Sequence, residues 1–157
     1  MEKIIFNPQM ITDNKEERTY SVRAVLFNGN NNLLIENNDN TYSLPGGQAQ
    51  DSPSSKVLQK VLEQEYNITL PEEDLTPFLI MQSLNKKIKD ESNYNNITYY
   101  YTGNINVNNL NKNLEYKHLD DLENIILTEP LTDDYKELLS VIYLINDRKY
   151  LKVRIRK

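Results

Sequence analysis

Runs of apolar residues bounded by polar turns predict a series of β-strands. The segment 19–28 is rich in β-branched and aromatic residues, and the turn Gly29-Asn30-Asn31 separates it from the apolar segment 32–37. Two such runs around a short turn are typical of a β-hairpin. Segments of similar composition predict further strands at 76–85, 95–105 and 114–119, with the polar loop 86–94 between the first two.

Helical spacing of apolar residues predicts two helices. The first covers 53–66, with Ser52 as its N-cap and Pro53 at its first position. The second covers 132–147, and Asp133 and Asp134 suit the positive end of its dipole. Its apolar stripe consists of Tyr135, Leu138, Leu139, Ile142 and Ile145. Strands and helices alternate without a linker or a repeat, which indicates an α/β (α+β) fold in which a mixed sheet packs between helices.

Length and composition agree with one folded unit. The chain has 157 residues, of which 38% are hydrophobic, so one ordinary core can form, and we expect a single domain over 1–157. The sequence contains no cysteine, its first ten residues lack the pattern of a secretory signal, and no apolar run is long enough to span a membrane. These features predict a cytoplasmic protein with no membrane association.

The net charge of −5 argues against binding to nucleic-acid backbones, because such binding uses clustered Lys and Arg. A basic cluster does occur in the C-terminal tail 147–157, where basic and apolar residues alternate. One interpretation is a terminal strand with a solvated basic face, and the other is a contact with an anionic ligand or RNA. The first interpretation is the simpler one, so nucleic acid is not an expected partner.

One short motif carries the strongest functional signal. Leu44-Pro45-Gly46-Gly47 precedes the first predicted helix, whose last turns carry Glu63 and Glu65. This stretch resembles the box of the Nudix hydrolase (MutT-like) superfamily, G-x5-E-x7-R-E-U-x-E-E-x-G-U, in which U is aliphatic. Counted without gaps, the box positions fall on Gly46, Ser52, Lys60, Val61, Leu62, Gln64, Glu65, Asn67 and Ile68. The resemblance extends over most of 19–145 and implies a Nudix-like α/β/α sandwich with a mixed sheet.

The same resemblance implies metal-dependent hydrolysis, but this sequence lacks some of the acidic residues that this chemistry uses. Family members hydrolyse a nucleoside diphosphate linked to another group, with Mg²⁺ held by three carboxylates at the positions of Val61, Gln64 and Glu65. Only Glu65 is acidic here, so the resemblance implies a weak metal site at Glu65. The family's ion pair between loop and helix is also absent, because Ser52 and Lys60 occupy its positions, and a Ser52 cap is expected to replace it.

Two functions follow from this degenerate box. The first is a Nudix-fold protein with a cleft for a nucleoside-diphosphate-type ligand, in which metal-dependent hydrolysis is weak or lost. The second is an active, divergent pyrophosphohydrolase with Mg²⁺ or Mn²⁺ as its cofactor. In that case Glu63, one position off the pattern, is a second catalytic candidate beside Glu65. A further acid would come from the later segment that contains Glu115, Asp120, Asp121 and Glu123.

Ligand-binding candidates surround the box. Gly46, Gly47, Lys60 and Gln64 belong to the box itself. Arg23 either reaches a phosphate or points outward from its strand, and Tyr42 either stacks on a base or packs at the sheet end. His118, the one histidine, is expected to be a surface strand residue. The expected partner is a nucleotide-type small molecule, and the sequence leaves a homodimer open.

Overall fold

The computed structural model describes residues 2–6, 18–50, 52–86, 93–111, 113–130 and 132–155. Eight strands occur in these residues: β1 Glu2–Phe6, β2 Arg18–Phe27, β3 Asn32–Asn38, β4 Thr41–Ser43, β5 Gly46–Gln48, β6 Thr76–Lys86, β7 Asn93–Asn104 and β8 Leu114–His118. The helices are α1 Ser55–Tyr66, α2 Leu119–Thr128 and α3 Asp133–Ile155, with a short 3₁₀ turn at Glu72–Asp74.

The strands form one mixed sheet. Its order is β1-β6-β7-β2-β3-β4, while β5 pairs with β2 and β8 pairs with β3. The pairs β1–β6 and β2–β7 are parallel, and the other pairs are antiparallel. The ten-residue parallel register of β2 with β7 runs from Arg18 opposite Asn95 to Phe27 opposite Asn104 and forms the centre of the sheet.

Side chains of β2 enter two different cores because successive residues of a strand point to opposite faces. Val22, Ala24 and Leu26 pack under α1, whereas Val25 belongs to the core under α2 and α3. Helix α1 contributes Leu58 and Leu62 to its side; the other core takes Leu119, Leu122 and Ile126 from α2 and Tyr135, Leu138, Val141, Ile142 and Ile145 from α3. The predicted α/β/α sandwich with a mixed sheet is therefore confirmed.

The start of α1 differs from the prediction. The helix begins at Ser55, and the side chain of Ser54 caps it by accepting a hydrogen bond from Val57 N at 3.2 Å. Ser52 is exposed and precedes the cap by two residues. Ser54 takes this role because its backbone is extended while its hydroxyl reaches the third residue after it, which is the geometry of an N-cap. The helix ends at Tyr66, and its C-cap Asn67 adopts a left-handed conformation (φ 56°), which is common for asparagine at the end of a helix.

Two further predictions were wrong or incomplete. The tail does not begin a terminal strand, because α3 continues as a helix to Ile155. No Gly or Pro interrupts 133–155, so nothing in the backbone stops the helix where the alternating pattern begins. Helix α2 was not predicted, since it follows β8 directly and presents only three buried residues. The predicted loop 86–94 falls mostly outside the described residues.

Candidate functional site

The Leu44–Gly47 loop is fixed to β2 by backbone contacts. Gly46 and Gly47, at the start of β5, pair with Arg23 and Val22, and Ala24 N donates to Pro45 O at 2.8 Å. A Cβ atom on Gly46 would overlap the carbonyl oxygen of Val22 and come within 2.7 Å of Arg23 Cδ. This close approach of two backbones explains why position 46 requires glycine.

Val61 and Glu65 lie together beside this loop. A Cβ atom on Gly47 would be 3.2 Å from Val61 Cγ1 and 3.6 Å from Glu65 Oε2. Residues four apart share one face of a helix, so the two side chains meet the loop as neighbours. Val61 is half-buried against the α1-side core, whereas Glu65 is exposed. Val61 and Glu65 therefore face the loop, and Val61 presents methyl groups at a position where the resemblance implies a carboxylate.

Tyr66 fastens the loop to the end of α1. Its hydroxyl oxygen accepts from Gly46 N at 3.1 Å, and its proton has two acceptors within reach, Gly46 O at 3.1 Å and Glu36 Oε1 at 3.2 Å. Burial raises the pKa of Tyr66 above its usual 10.0; the bond to Gly46 lowers the pKa, and the Glu36 charge raises it. The phenol therefore keeps its proton at neutral pH and can donate it.

A cleft of about 340 Å³ opens beside these residues. Its lining consists of Glu36, Glu65, Tyr66, Asn111, Asn113 and Leu114. Glu36 was not among the predicted site residues. Strand alternation could have indicated it, because Leu34 points into the α1-side core and Glu36 follows two positions later on the same face. A charged residue in register with buried ones is unusual, so Glu36 could have been a candidate site residue.

The other box residues are exposed on α1. Glu63 lies about 200° around the helix from Glu65, so the structure does not bring these two acids together. Gln64 precedes Glu65 and lies about one turn after Val61, but it is not among the residues that line the cleft. Lys60 is exposed one residue before Val61. Of the predicted acids, only Glu65 lines the cleft.

Arg23 is directed to the opposite layer. Its Nη1 donates to Leu44 O at 3.2 Å, and its Nε lies 3.9 Å from Glu137 Oε1 on α3. Burial raises the pKa of Glu137, although the Arg23 charge and a hydrogen bond from Tyr100 both lower it. Burial and the Glu137 carboxylate together hold the pKa of Tyr100 well above its usual value. Arg23 thus braces the loop from the α3 side and is not directed into the cleft.

Tyr42 also belongs to the α2–α3 side. It packs against that core, and Lys117 Nζ lies 5.4 Å from its ring centroid. Of the two interpretations made from the sequence, the structure shows the packing contact.

The later acids do not complete the cleft. Glu115 forms an ion pair with Lys117, whose Nζ lies 3.1 Å from Glu115 Oε1. Because the neighbouring Leu114 points into the α1-side core, Glu115 faces the opposite layer. Asp120, Asp121 and Glu123 lie on α2, in that same layer. His118, at the end of β8 as expected, caps α2 by accepting from Asp120 N at 3.2 Å.

The cleft residues do not fit the metal set of the resemblance. Val61 presents methyl groups, and Gln64 offers a neutral amide where the family has a charge. Among the residues that the structure describes, no group of three or more His, Cys, Asp or Glu side chains is arranged to hold a metal ion. The donors next to the loop are the carboxylates of Glu65 and Glu36, which come from different elements of the fold.

No family model and no curated protein matches the sequence. Solved structures do match. The NUDIX domain of Shewanella oneidensis NrtR, in complex with ADP ribose, is 17% identical with a TM-score of 0.59 over 91% of this chain and 93% of that one. A MutT/nudix family protein from Enterococcus faecalis is 16% identical with a TM-score of 0.55 over 71% of this chain, which spans about half (48%) of that protein.

A third similar structure is a bifunctional NMN adenylyltransferase/ADP ribose pyrophosphatase from Francisella tularensis, complexed with AMP and a Mn ion. It is 16% identical with a TM-score of 0.56 over 80% of this chain and 41% of that one. At these identities the similarity establishes the fold. The chain has the Nudix fold, as its loop and helix motif predicted. Within the described residues, no helix has the length and apolar character needed to cross a membrane.

Proposed function

We propose that this protein binds a nucleoside-diphosphate-type ligand in the cleft beside Gly46, Gly47 and Glu65, and that metal-dependent hydrolysis is weak or lost. The fold supports the ligand class, since similar structures were solved with ADP ribose and with AMP. The cleft volume of about 340 Å³ lies at the lower end of the range for small-molecule sites. Its acidic and amide side chains can accept hydrogen bonds from sugar hydroxyls and base amino groups.

The position of Val61 beside Gly47 is the observation that supports the loss of hydrolysis. Divalent cations in phosphoryl-type displacements neutralise charge that develops in the transition state, and carboxylates must hold them. An aliphatic side chain fills the place next to Gly47 where one carboxylate would stand. Losing several kcal/mol of transition-state stabilisation would slow the reaction by roughly a thousandfold or more. Ground-state binding does not need this transition-state stabilisation, so the proposal keeps binding as the role of the cleft.

A second function is favoured by Glu36. This acid from β3 lines the same cleft as Glu65, so two carboxylates face the ligand space even though the box supplies one. An active pyrophosphohydrolase would use Mg²⁺ or Mn²⁺, which are held by oxygen ligands of this kind. The Mn ion in the Francisella tularensis structure agrees with that choice of cofactor.

One screen separates the two functions. The purified protein is incubated with ADP-ribose, other nucleoside diphosphate sugars, dinucleoside polyphosphates and nucleoside triphosphates, each with Mg²⁺ and with Mn²⁺. Product release and thermal shift are measured in parallel. A rise in melting temperature without turnover supports the binding function, because a ligand that binds only the folded state stabilises it.

The variant Glu65→Gln and its matched control Glu63→Gln complete the screen. Both substitutions remove one charge from α1, but only the first changes the cleft. Robust turnover that Glu65→Gln abolishes and Glu63→Gln preserves would replace the binding function with the enzymatic one. Neither a thermal shift nor turnover with any compound would contradict both.

A further inference from the structure

The turn before β8 forms one wall of the cleft. Asn111 and Asn113 both line the cleft, and both are exposed. Leu114 N donates to Asn111 O at 2.9 Å, which closes the turn, and Asn37 N on β3 donates to Asn113 O at 2.8 Å. Within the part of the chain that the structure describes, neither side-chain amide has a hydrogen-bond partner. The two carbonyls are thus engaged inside the protein, and the side-chain amides remain for a ligand.

Sheet pairing fixes this turn beside Glu36. Glu36 on β3 lies opposite Leu114 on β8, and the hydrogen bond between Asn37 and Asn113 continues the pairing by one position. Glu65 lines the same cleft from α1. A ligand therefore meets polar residues whose backbones are already held in place, so binding has to order little of the chain.

The cleft has room for only part of a nucleoside-diphosphate-type ligand. Its volume of about 340 Å³ lies at the lower end of the range for sites that enclose drug-sized compounds. ADP-ribose contains a base, two sugars and two phosphates, so it is larger than most such compounds. The cleft therefore encloses one part of the ligand, and the chemistry of the lining decides which part.

The lining residues that the structure describes favour a sugar over a phosphate or a base. Glu36 and Glu65 would repel a phosphate unless a cation lay between them. A base is commonly held by stacking on an aromatic face, but Tyr66, the aromatic residue in the described lining, is only 8% exposed. A sugar carries neighbouring hydroxyls, which can donate to a carboxylate and can both donate to and accept from an amide.

We propose that Asn111 and Asn113 are specificity-determining residues that, together with Glu36 and Glu65, recognise the vicinal hydroxyls of a sugar. The sugar is either the ribose of the nucleoside or the sugar attached to its diphosphate, since both carry this pair of hydroxyls. The phosphates of the ligand then remain outside the space between the carboxylates. This inference rests on the proposed function, because that function makes the cleft a ligand site.

Calorimetry with three related ligands tests the inference. ADP-ribose carries both sugars, ADP carries only the nucleoside ribose, and 2′,3′-dideoxy-ADP carries no vicinal hydroxyls. Asn111→Ala and Asn113→Ala should each weaken binding of the recognised ligand by up to about tenfold, the value of one ordinary hydrogen bond. Neither should change the binding of 2′,3′-dideoxy-ADP. Asn109→Ala is the matched control, because Asn109 is exposed two residues before the turn and does not line the cleft.

The pattern of losses identifies the sugar. A loss confined to ADP-ribose would place the sugar attached to the diphosphate in the cleft. A loss for ADP-ribose and ADP that is absent for 2′,3′-dideoxy-ADP would place the nucleoside ribose there. An equal loss for all three ligands, no loss for any of them, or the same loss in Asn109→Ala would overturn the inference, whereas binding by the wild-type protein would still support the proposed function.

Asn113→Asp is a second variant that keeps the shape of the side chain and removes the amide donor. A hydroxyl can donate to the new carboxylate, so the preference for the ligand with vicinal hydroxyls should persist. Loss of this preference would mean that the amide donates to a fixed acceptor, such as a base carbonyl or a phosphate oxygen, and would overturn the inference. This variant also replaces Asn113→Ala if the alanine variant does not fold.

Methyl β-D-ribofuranoside tests the sugar site without a nucleotide. Added to ¹⁵N-labelled protein, it should shift the side-chain amide resonances of Asn111 and Asn113. Its 2-deoxy analogue lacks one of the vicinal hydroxyls and should shift them less. Equal shifts with the two compounds, or no shift with either, would overturn the inference. If the ribofuranoside gives the expected shifts but no nucleotide binds, the proposed function fails for these nucleotides and the sugar site stands.

Discussion

The guanidinium of Arg23 on β2 and the carboxylate of Glu137 on α3 form an ion pair across the helix–sheet interface, with Nε and Oε1 3.9 Å apart. Tyr100 donates a hydrogen bond to the same carboxylate. Burial nevertheless raises the pKa of Glu137 from its usual 4.5, and the charge of Asp134 raises it further. The Glu137 side chain keeps 29% of its surface exposed, so water moderates this effect.

The raised pKa predicts a pH dependence of stability. A carboxyl group whose pKa is higher in the folded state contributes stability that is fully present below its unfolded value, here 4.5, and is lost as pH rises through the folded value. The free energy of unfolding of the wild type, relative to Glu137→Gln, should therefore fall as pH rises above 4.5. Urea denaturation of both proteins from pH 4 to pH 8 measures this difference in the free energy of unfolding. A difference that is flat or rises with pH would contradict the prediction, and the exposed Glu129→Gln serves as control.

Substitution of Gly46 should lower the stability of the protein because there is no room for a side chain at this position. Gly46→Ala places a methyl group against the carbonyl of Val22, and we expect a loss of about 3 kcal/mol from overpacking. Gly29 is the matched control: its φ is +71° and nothing lies within 4 Å of its Cβ position. Gly29→Ala should cost about 1 kcal/mol, from backbone strain alone. Urea denaturation of both variants checks the order, and equal losses would show that the loop can move away from β2.

The corrected helix cap gives a second stability prediction. Ser54→Ala removes the acceptor for Val57 N and should cost about 1 kcal/mol. Ser52 is exposed and lies before the cap, so Ser52→Ala should change stability by less than about 0.5 kcal/mol. Thermal or urea denaturation distinguishes them. The reverse order would mean that α1 starts where the sequence pattern placed it.

Restoring two acids should create a cation site. In Val61→Glu/Gln64→Glu, carboxylates join Glu65 beside Gly47, and Mg²⁺ binding should appear or strengthen in calorimetry. Burying part of a charge at the half-buried position 61 should cost about 1 kcal/mol of stability in the absence of metal. Val61→Gln is the control for shape without charge. A folded double variant that binds Mg²⁺ no better than Val61→Gln would contradict the assignment of Val61 to the metal position that the resemblance implies.

The fold was predictable because its signals are local. The β2–β3 hairpin, α1 and the apolar stripe of α3 each repeat a pattern within about a dozen residues, and the glycine loop adds a recognisable motif. The wrong element was the tail, where alternating residues follow a helix that nothing interrupts. A short helix such as α2 carries too few buried positions to distinguish it from the end of a strand.

The candidate site was only partly predictable because it depends on contacts between distant segments. The motif predicted Glu65, Gly46 and Gly47, and of these Glu65 lines the cleft. Glu36 and Tyr66 are 30 residues apart, and only the folded chain brings them to the same glycine. The family resemblance predicted that Arg23 and Tyr42 lie near the ligand. Whether a strand residue does so depends on the face of the sheet to which its side chain points, and the sequence does not show which helices cover that face.

The Leu44–Gly47 loop has anchors in both layers, Arg23 from the α3 side and Tyr66 from α1. Displacement of α3 would remove Glu137 from Arg23 and loosen its hold on Leu44, although α3 does not line the cleft. Partial opening of one layer therefore disturbs the loop that borders the cleft in the other. A substitution that displaces α3 should therefore weaken ligand binding, so affinity would report on the integrity of a helix that the ligand does not touch.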